Sequence, residues 1–285
     1  MYSIDQKLLK SFIENALHED GYEADHTSLA SIPAESISRA KLYTKDDGVI
    51  AGVAVAEAIF NYVDAGAVIE VVKNDGDEVS YRDTILYAEC NTRAFMKAQR
   101  IILNIMKHLS GIATLSSRFA FEVEGLPVRL LATRKTTPLL RFLEYWALRV
   151  GGCDYLRTGL DDGIVITDNH IHASSSIAEA IDHVNQYLKE QKLNLDITIE
   201  VANLVELQQV LDHGGVSRIV LDHFELPILS EAVAHVNGRF EVGASGGVTL
   251  KNVRNIAETG VDFISVAALT QIMGTLDLSF KISKH

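Results

Sequence analysis

The second half of the chain alternates short apolar runs with amphipathic segments, and this alternation constrains the fold more than any other feature. Strands are predicted at 128–132, 164–166, 197–201, 219–221, 240–244 and 263–266. Helical spacing of apolar residues fills 137–149, 174–190, 203–213, 227–236 and 250–258 between them. A strand, a crossover helix and a further strand make a parallel pair. About six or seven such units suit an α/β barrel, complete or incomplete, better than an open sheet, with the final unit closing against the first.

The first half reads differently. Leu8, Leu9, Phe12, Ile13, Ala16 and Leu17 fall on one face of a helix over 5–19. Between 37 and 90, the short β-like runs 40–44, 48–52, 68–72 and 84–88 are broken by turn signals such as Asp46-Asp47-Gly48 and Asn74-Asp75-Gly76-Asp77, with a helix over 53–63. This is the pattern of a small α+β domain. A long helix then starts near 93 and is predicted to end near Ser110-Gly111.

The bulk numbers exclude several function classes. A net charge of −12 leaves no basic footprint for nucleic acid. No run approaches the roughly 20 apolar residues of a membrane span, and the first residues, Met1 to Gln6, lack the basic start and apolar run of a signal peptide. Cys90 and Cys153 are too few for a disulfide framework or a metal cage. The expectation is a cytoplasmic protein whose partners are neither nucleic acid nor membrane.

Polar residues recur at the ends of the predicted strands. Thr133-Arg134-Lys135-Thr136-Thr137-Pro138 follows the first strand of the barrel and packs two cations and three hydroxyls into six residues. Arg contributes a planar fork of donors and Lys a mobile point charge, a pairing suited to carboxylates and phosphates; a basic turn paired with surface acids is the plainer alternative. Asp168-Asn169-His170 follows a strand, Glu200 ends one, and Asp222-His223 and Ser245-Gly246-Gly247 follow two more. In a parallel barrel these positions converge at the C-terminal mouth, where active sites of this architecture lie.

Each element also has a structural explanation. Ser245-Gly246-Gly247-Val248-Thr249 offers a phosphate cradle before a helix starting around Thr249, although any strand-to-helix turn favours glycine. Glu200 and Asp222 could hold Mg²⁺ or sugar hydroxyls, or could cap helices, Glu200 being the better candidate because it lies within its strand. His170 and His172 tempt a zinc reading, but no third ligand is in view and a hydrogen-bonded loop is favoured. Cys153 reads as packing and Arg100 as a solvated helix arginine.

Assembled in order, these motifs resemble the quinolinate phosphoribosyltransferase family, also called nicotinate-nucleotide pyrophosphorylases. The resemblance is carried by Glu19-Asp20-Gly21, Asp25-His26-Thr27-Ser28, Gly48-Val49-Ile50-Ala51-Gly52, Asn104, Leu109-Ser110-Gly111-Ile112-Ala113-Thr114, Thr133 to Pro138, Asp168-Asn169-His170-Ile171, Ala244 to Thr249 and Ile264-Ser265-Val266. It implies an α+β sandwich domain over 1–112 and an incomplete, TIM-like α/β barrel over 113–270, with 271–285 packing back on the first domain. It further implies homodimers that share active sites and a reaction in which quinolinate and phosphoribosyl pyrophosphate yield nicotinate mononucleotide, pyrophosphate and carbon dioxide with Mg²⁺.

By that resemblance Arg100 reaches the neighbouring subunit's acceptor, and Arg134 and Arg157, with Thr133 beside them, grip the acceptor carboxylates. Lys135 faces acceptor and diphosphate, Glu200 and Asp222 hold ribose hydroxyls or Mg²⁺, and Ser245, Gly246 and Gly247 take the 5′-phosphate. The chain departs from the family pattern in several places. Ala132 replaces Asp, Tyr155-Leu156-Arg157 stands where the family has Asn-His-Arg, Thr167 replaces Lys in the acceptor site, and Ala267 replaces Gly near the phosphate. Two acceptor-facing cations are thereby missing, at about 1.5–3 kcal/mol for each charged hydrogen bond not replaced. The alternatives are a related enzyme with a less charged aromatic acceptor and a catalytically silent ligand-binding homologue.

Overall fold

The structure is a computed structural model that describes residues 3–272 and 274–283. The chain divides into two compact units, one of Met1–Ser117, Thr137–Gly152 and Ile272–His285, the other of Arg118–Thr136 and Cys153–Gln271. Met1, Tyr2, Met273, Lys284 and His285 lie outside the described residues.

The first unit opens with α1 (Gln6–Glu19), where the Asp5 carboxylate accepts from the Lys7 and Leu8 amides and Leu9, Ile13 and Leu17 form the buried stripe. Asp25 caps the short α2 (His26–Ser31) through the Ser28 amide. There follow β1 (Ile37–Thr44), β2 (Gly48–Val49), α3 (Val53–Val63), β3 (Val68–Val71), β4 (Glu78–Val79), β5 (Thr84–Asn91) and α4 (Thr92–Glu122). Downstream elements are β6 (Arg129–Ala132), α5 (Arg141–Val150), β7 (Asp154–Tyr155), β8 (Ile164–Ile166), α6 (Asp168–Ala173), α7 (Ile177–Gln191), β9 (Ile197–Val201) and α8 (Leu204–His213). The chain continues through β10 (Arg218–Asp222), α9 (Leu226–Val236), β11 (Glu241–Ser245), α10 (Val253–Ala257), β12 (Phe263–Val266), α11 (Ala268–Gln271) and β13 (Leu278–Ser283).

The main sheet of the first unit has the order β13-β1-β5-β3, antiparallel throughout. Phe280 on β13 meets Phe60 of α3 and Phe95 of α4 edge-on, at centroid distances of 6.1 and 5.3 Å, so the C-terminal strand contributes directly to this core. The helix predicted to end near Ser110-Gly111 instead continues to Glu122. Its Ser110 hydroxyl donates to the Ala51 carbonyl and accepts from the Ala51 amide. A side chain at Gly111 would collide with the Gly274 carbonyl. The small pair permits close backbone approach rather than ending a helix.

In the second unit seven parallel strands run in the order β7-β6-β12-β11-β10-β9-β8. The last long strand, β12, pairs with the first, β6, while β7 and β8 are the two edges, so the barrel is open between them. Three local structures differ from expectation. Leu139 has φ +67°, which keeps 137–140 out of the helix and delays α5 to Arg141. Asn252 accepts from the Thr249 amide and donates to the Gly247 carbonyl, holding a turn ahead of α10 at Val253. The segment expected as a loop at 168–172 is the helix α6, set ahead of α7.

Candidate active site

Parallel strands place their C-terminal ends on one edge, and register decides which side chains share a row. Glu200, Val220, Gly243 and Phe263 occupy registered positions on β9 to β12. One row further toward the C-terminal ends, Asp222 is registered with Ser245, and Leu131 of β6 with Ser265. Across these two rows Leu131, Val220 and Phe263 pack as a buried cluster with Leu156 against it. Gly243 lacks a Cβ where the Phe263 ring lies. An apolar floor thus carries a polar mouth.

Within that mouth the charges act on one another. The Glu200 carboxyl is pushed above the usual carboxylate range, first by burial and then by the negative charges of Asp222 and Asp168; the cations Lys135 and Arg157 pull the other way. The sequence candidates Lys135, Arg157, Glu200 and Asp222 therefore share one electrostatic environment. Asp168 belongs with them, although the sequence marks it only as part of a strand-end turn. The acid of its Asp-Asn-His run was visible, but nothing local indicated that it would face Glu200.

Asp222 does not cap a helix. Its Oδ1 accepts from the Ser245 hydroxyl at 2.5 Å, and its Oδ2 lies 3.0 Å from His223 Nδ1. His223 adopts φ +56°, and its amide donates to the Ser245 carbonyl. The imidazole lies where a side chain at Gly246 would have to be, so the glycine turn and the carboxylate are packed through one ring. Gly246 and Gly247 both have positive φ, which suits a turn of exposed amides. The five-residue α10 begins too late to lend a helix terminus to that turn.

The cationic turn is held by local bonds. Thr133 Oγ1 accepts from the Lys135 amide at 3.2 Å, the Thr136 amide donates to the Arg134 carbonyl, and the Lys135 carbonyl accepts from Thr270 Oγ1 at 2.7 Å. Lys135 itself is exposed. Arg134 is half-buried, and its Nε is a buried donor with no hydrogen-bond partner among the described residues. A buried donor of this kind is costly unless an acceptor arrives, and an anion would supply one. Arg157 donates from Nη1 to the Gly163 carbonyl at 2.9 Å.

The positions that depart from the family pattern have structural work. Leu156 joins the apolar floor. Thr167 is the N-cap of α6, and its amide donates to His170 Nδ1, which marks that nitrogen as an acceptor. His172 Nδ1 bonds instead to the Asp168 carbonyl, and among the described residues no group of three or more His, Cys, Asp or Glu side chains could hold a metal ion. Ala267 precedes α11, accepting from the Thr270 amide. Ala132 is the buried last residue of β6. Arg100 lies in the other unit, exposed on α4, where with Asn104, His108 and the 137–142 segment it lines a groove of about 740 Å³.

Comparison with known proteins places these residues in context. Residues 25–110 match the sequence family described as quinolinate phosphoribosyl transferase, N-terminal domain, and residues 112–281 match its C-terminal domain. The chain is 39% identical over 289 residues to the chloroplastic nicotinate-nucleotide pyrophosphorylase (carboxylating) of Arabidopsis thaliana, covering 96% of this chain and 82% of the relative. It is 34% identical over 281 residues to a probable nicotinate-nucleotide pyrophosphorylase (carboxylating) of Synechocystis, covering 98% and 94%. Among solved structures it is similar to the nicotinate-nucleotide pyrophosphorylase of Ehrlichia chaffeensis, with a TM-score of 0.92 and 34% identity over 99% of this chain and 100% of that one. The NadC structure from Streptococcus pyogenes gives a TM-score of 0.93 at 28% identity, covering 99% of each chain.

Proposed function

Given that the chain belongs to the quinolinate phosphoribosyltransferase family, we propose that it transfers the phosphoribosyl group of phosphoribosyl pyrophosphate to quinolinate, forming nicotinate mononucleotide, pyrophosphate and carbon dioxide for NAD biosynthesis. One observation carries the reading: Lys135, Arg157, Asp168 and Asp222 all act on the half-buried Glu200, so both signs of charge meet at one mouth.

The reaction needs that arrangement. The ribose C1′–oxygen bond breaks with its electron pair leaving on pyrophosphate, while the ring nitrogen's lone pair forms the new bond to C1′. Positive charge develops on the sugar and negative charge on the leaving group; Glu200 and Asp222 tolerate the first, and Lys135 stabilises the second. The C2 carboxylate then departs as carbon dioxide, its bonding pair remains on the ring carbon and takes up a proton, and the cationic surroundings lower the energy of that carbanion. Arg134 and Arg157 grip the acceptor carboxylates beside Thr133, and the neutral Leu156 and Thr167 leave them to do so without the two cations of the family pattern. Ser245 and the amides of Gly246 and Gly247, with Ala267 alongside, receive the 5′-phosphate.

Two carboxylates, with one oxygen of Asp222 already bonded to Ser245, do not make an all-protein metal cage. They do fit a hard divalent cation, Mg²⁺ in this reading, that keeps several waters and shares the substrate's phosphate oxygens. Glu200 and Asp222 would hold it, and when bound it would neutralise charge on the departing diphosphate. We further read the protein as a homodimer in which Arg100 completes the partner's acceptor site. We place it in the cytoplasm, in keeping with two buried cysteines, Cys90 and Cys153; among the described residues no helix is long and apolar enough to cross a membrane.

The test is pyrophosphate release with phosphoribosyl pyrophosphate, Mg²⁺ and either quinolinate or nicotinate. Turnover with quinolinate, with carbon dioxide formed in equal amount, is the expected result. Turnover only with less charged acids would assign the acceptor elsewhere. Donor binding with no turnover would leave a silent homologue.

A further inference from the structure

Glu144, on α5, is fully buried, yet it is ionisable and the mechanism above does not use it. Its Oε1 lies 2.8 Å from His108 Nε2, and its Oε2 accepts from the Thr137 amide at 3.1 Å. Both oxygens are therefore committed. His108 lies four and eight residues after Asn104 and Arg100 on α4, and the three line the same groove. Thr137 lies two residues beyond Lys135 in the chain and opens the segment that Leu139 keeps out of the helix.

A buried carboxylate paired with a histidine contributes little net stability compared with apolar residues of similar volume. What it supplies is geometry. Through two short bonds, Glu144 ties the α4 face carrying Arg100 to the backbone where the cationic turn ends. Thr137, Pro138 and Leu139 are exposed, and the Leu140 amide donates to the Thr137 carbonyl.

We propose that Glu144 is a positioning residue for phosphoribosyl transfer, fixing the end of the Arg134–Lys135 turn through Thr137 and the Arg100 face of α4 through His108. The proposal rests on the functional reading above, and turnover by the unaltered enzyme establishes that reading separately.

The experiment compares the unaltered enzyme with Glu144→Gln and with the double variant His108→Leu/Glu144→Leu, each followed by thermal melting and by steady-state kinetics with both substrates. Glutamine can still accept from the Thr137 amide while donating to His108, so it should keep kcat within about threefold of the unaltered enzyme. The double variant replaces the pair by apolar side chains and should melt cooperatively near the unaltered temperature. Its kcat should nevertheless fall about 10- to 100-fold, the scale of a misplaced catalytic group. A folded double variant with unaltered kcat overturns the proposal, as does a glutamine variant that loses as much as the double one. Should the double variant not fold, Glu144→Asp decides. Shortened by one methylene, it cannot span both partners, so a cooperative melt with lowered kcat supports positioning and an unchanged kcat refutes it.

Discussion

The Ser245 hydroxyl donates to Asp222 Oδ1 at 2.5 Å, joining the last residues of β10 and β11 at the mouth of the barrel. The two residues stand in register, so the bond is a direct product of parallel pairing. It leaves Asp222 aimed by one strand and held by the next.

Ser245→Ala should free that carboxylate and remove the hydroxyl we propose for the 5′-phosphate. A hydrogen bond to a charged group contributes about 1.5–3 kcal/mol, so kcat/KM for phosphoribosyl pyrophosphate is expected to fall about 10- to 100-fold. Initial-rate kinetics with each substrate varied in turn check this, and the effect should fall on the donor rather than on quinolinate.

In the proposed reaction Glu200 is expected to set an acid limit on activity. Its pKa is raised by burial and by Asp222 and Asp168, so it takes up a proton at a higher pH than an ordinary carboxylate as the solution is acidified. Lys135 acts against that rise, and Lys135→Met should move the acid limb of the pH–rate profile upward; Asp168→Asn should move it downward.

The same shift has a consequence for stability. A carboxyl whose folded pKa lies above its unfolded value binds more protons in the folded state, so folding loses stability as pH rises through the window between the two values. Glu200→Gln removes that loss. It should melt higher than the unaltered protein at neutral pH and no higher below the ordinary carboxylate range. Melting curves across that range test the sign, and turnover should be lost at every pH.

Glu241 accepts from both Arg129 and Arg218 at the N-terminal ends of the barrel strands, while Arg218 also pairs with Asp196 at 2.6 Å. Arg129 lies over the Phe263 ring at 5.9 Å. Glu241→Ala strips two guanidinium groups of an acceptor and should destabilise by about 1–2 kcal/mol, the partial exposure of these side chains limiting the loss. Because the active site lies at the opposite end of the strands, KM for both substrates should be unchanged, which urea melts and kinetics on one preparation will show.

Leu139 is 95% exposed at φ +67°. The left-handed conformation costs an L-residue about 1–2 kcal/mol, and glycine recovers it less about 0.5–1 kcal/mol of extra unfolded-state entropy. Leu139→Gly should therefore raise the melting temperature slightly, whereas Leu139→Val should lower it.

The amino-acid sequence by itself determined the main alternation of strands and helices, the parallel barrel and the placement of Arg134, Lys135, Glu200, Asp222 and Ser245 at strand ends. These follow from local periodicity and from chain direction, which any one segment carries. It could not determine the extent of α4, because Ser110 and Gly111 read locally as a stop and only Ala51 and the Gly274 carbonyl, distant in the chain, turn them into a packing contact. Nor could it show that Asp168 bears on Glu200, that His223 packs over Gly246, or that Glu144 is buried between His108 and Thr137. Burial and the Coulomb field depend on which groups meet through space, and tertiary structure alone decides that.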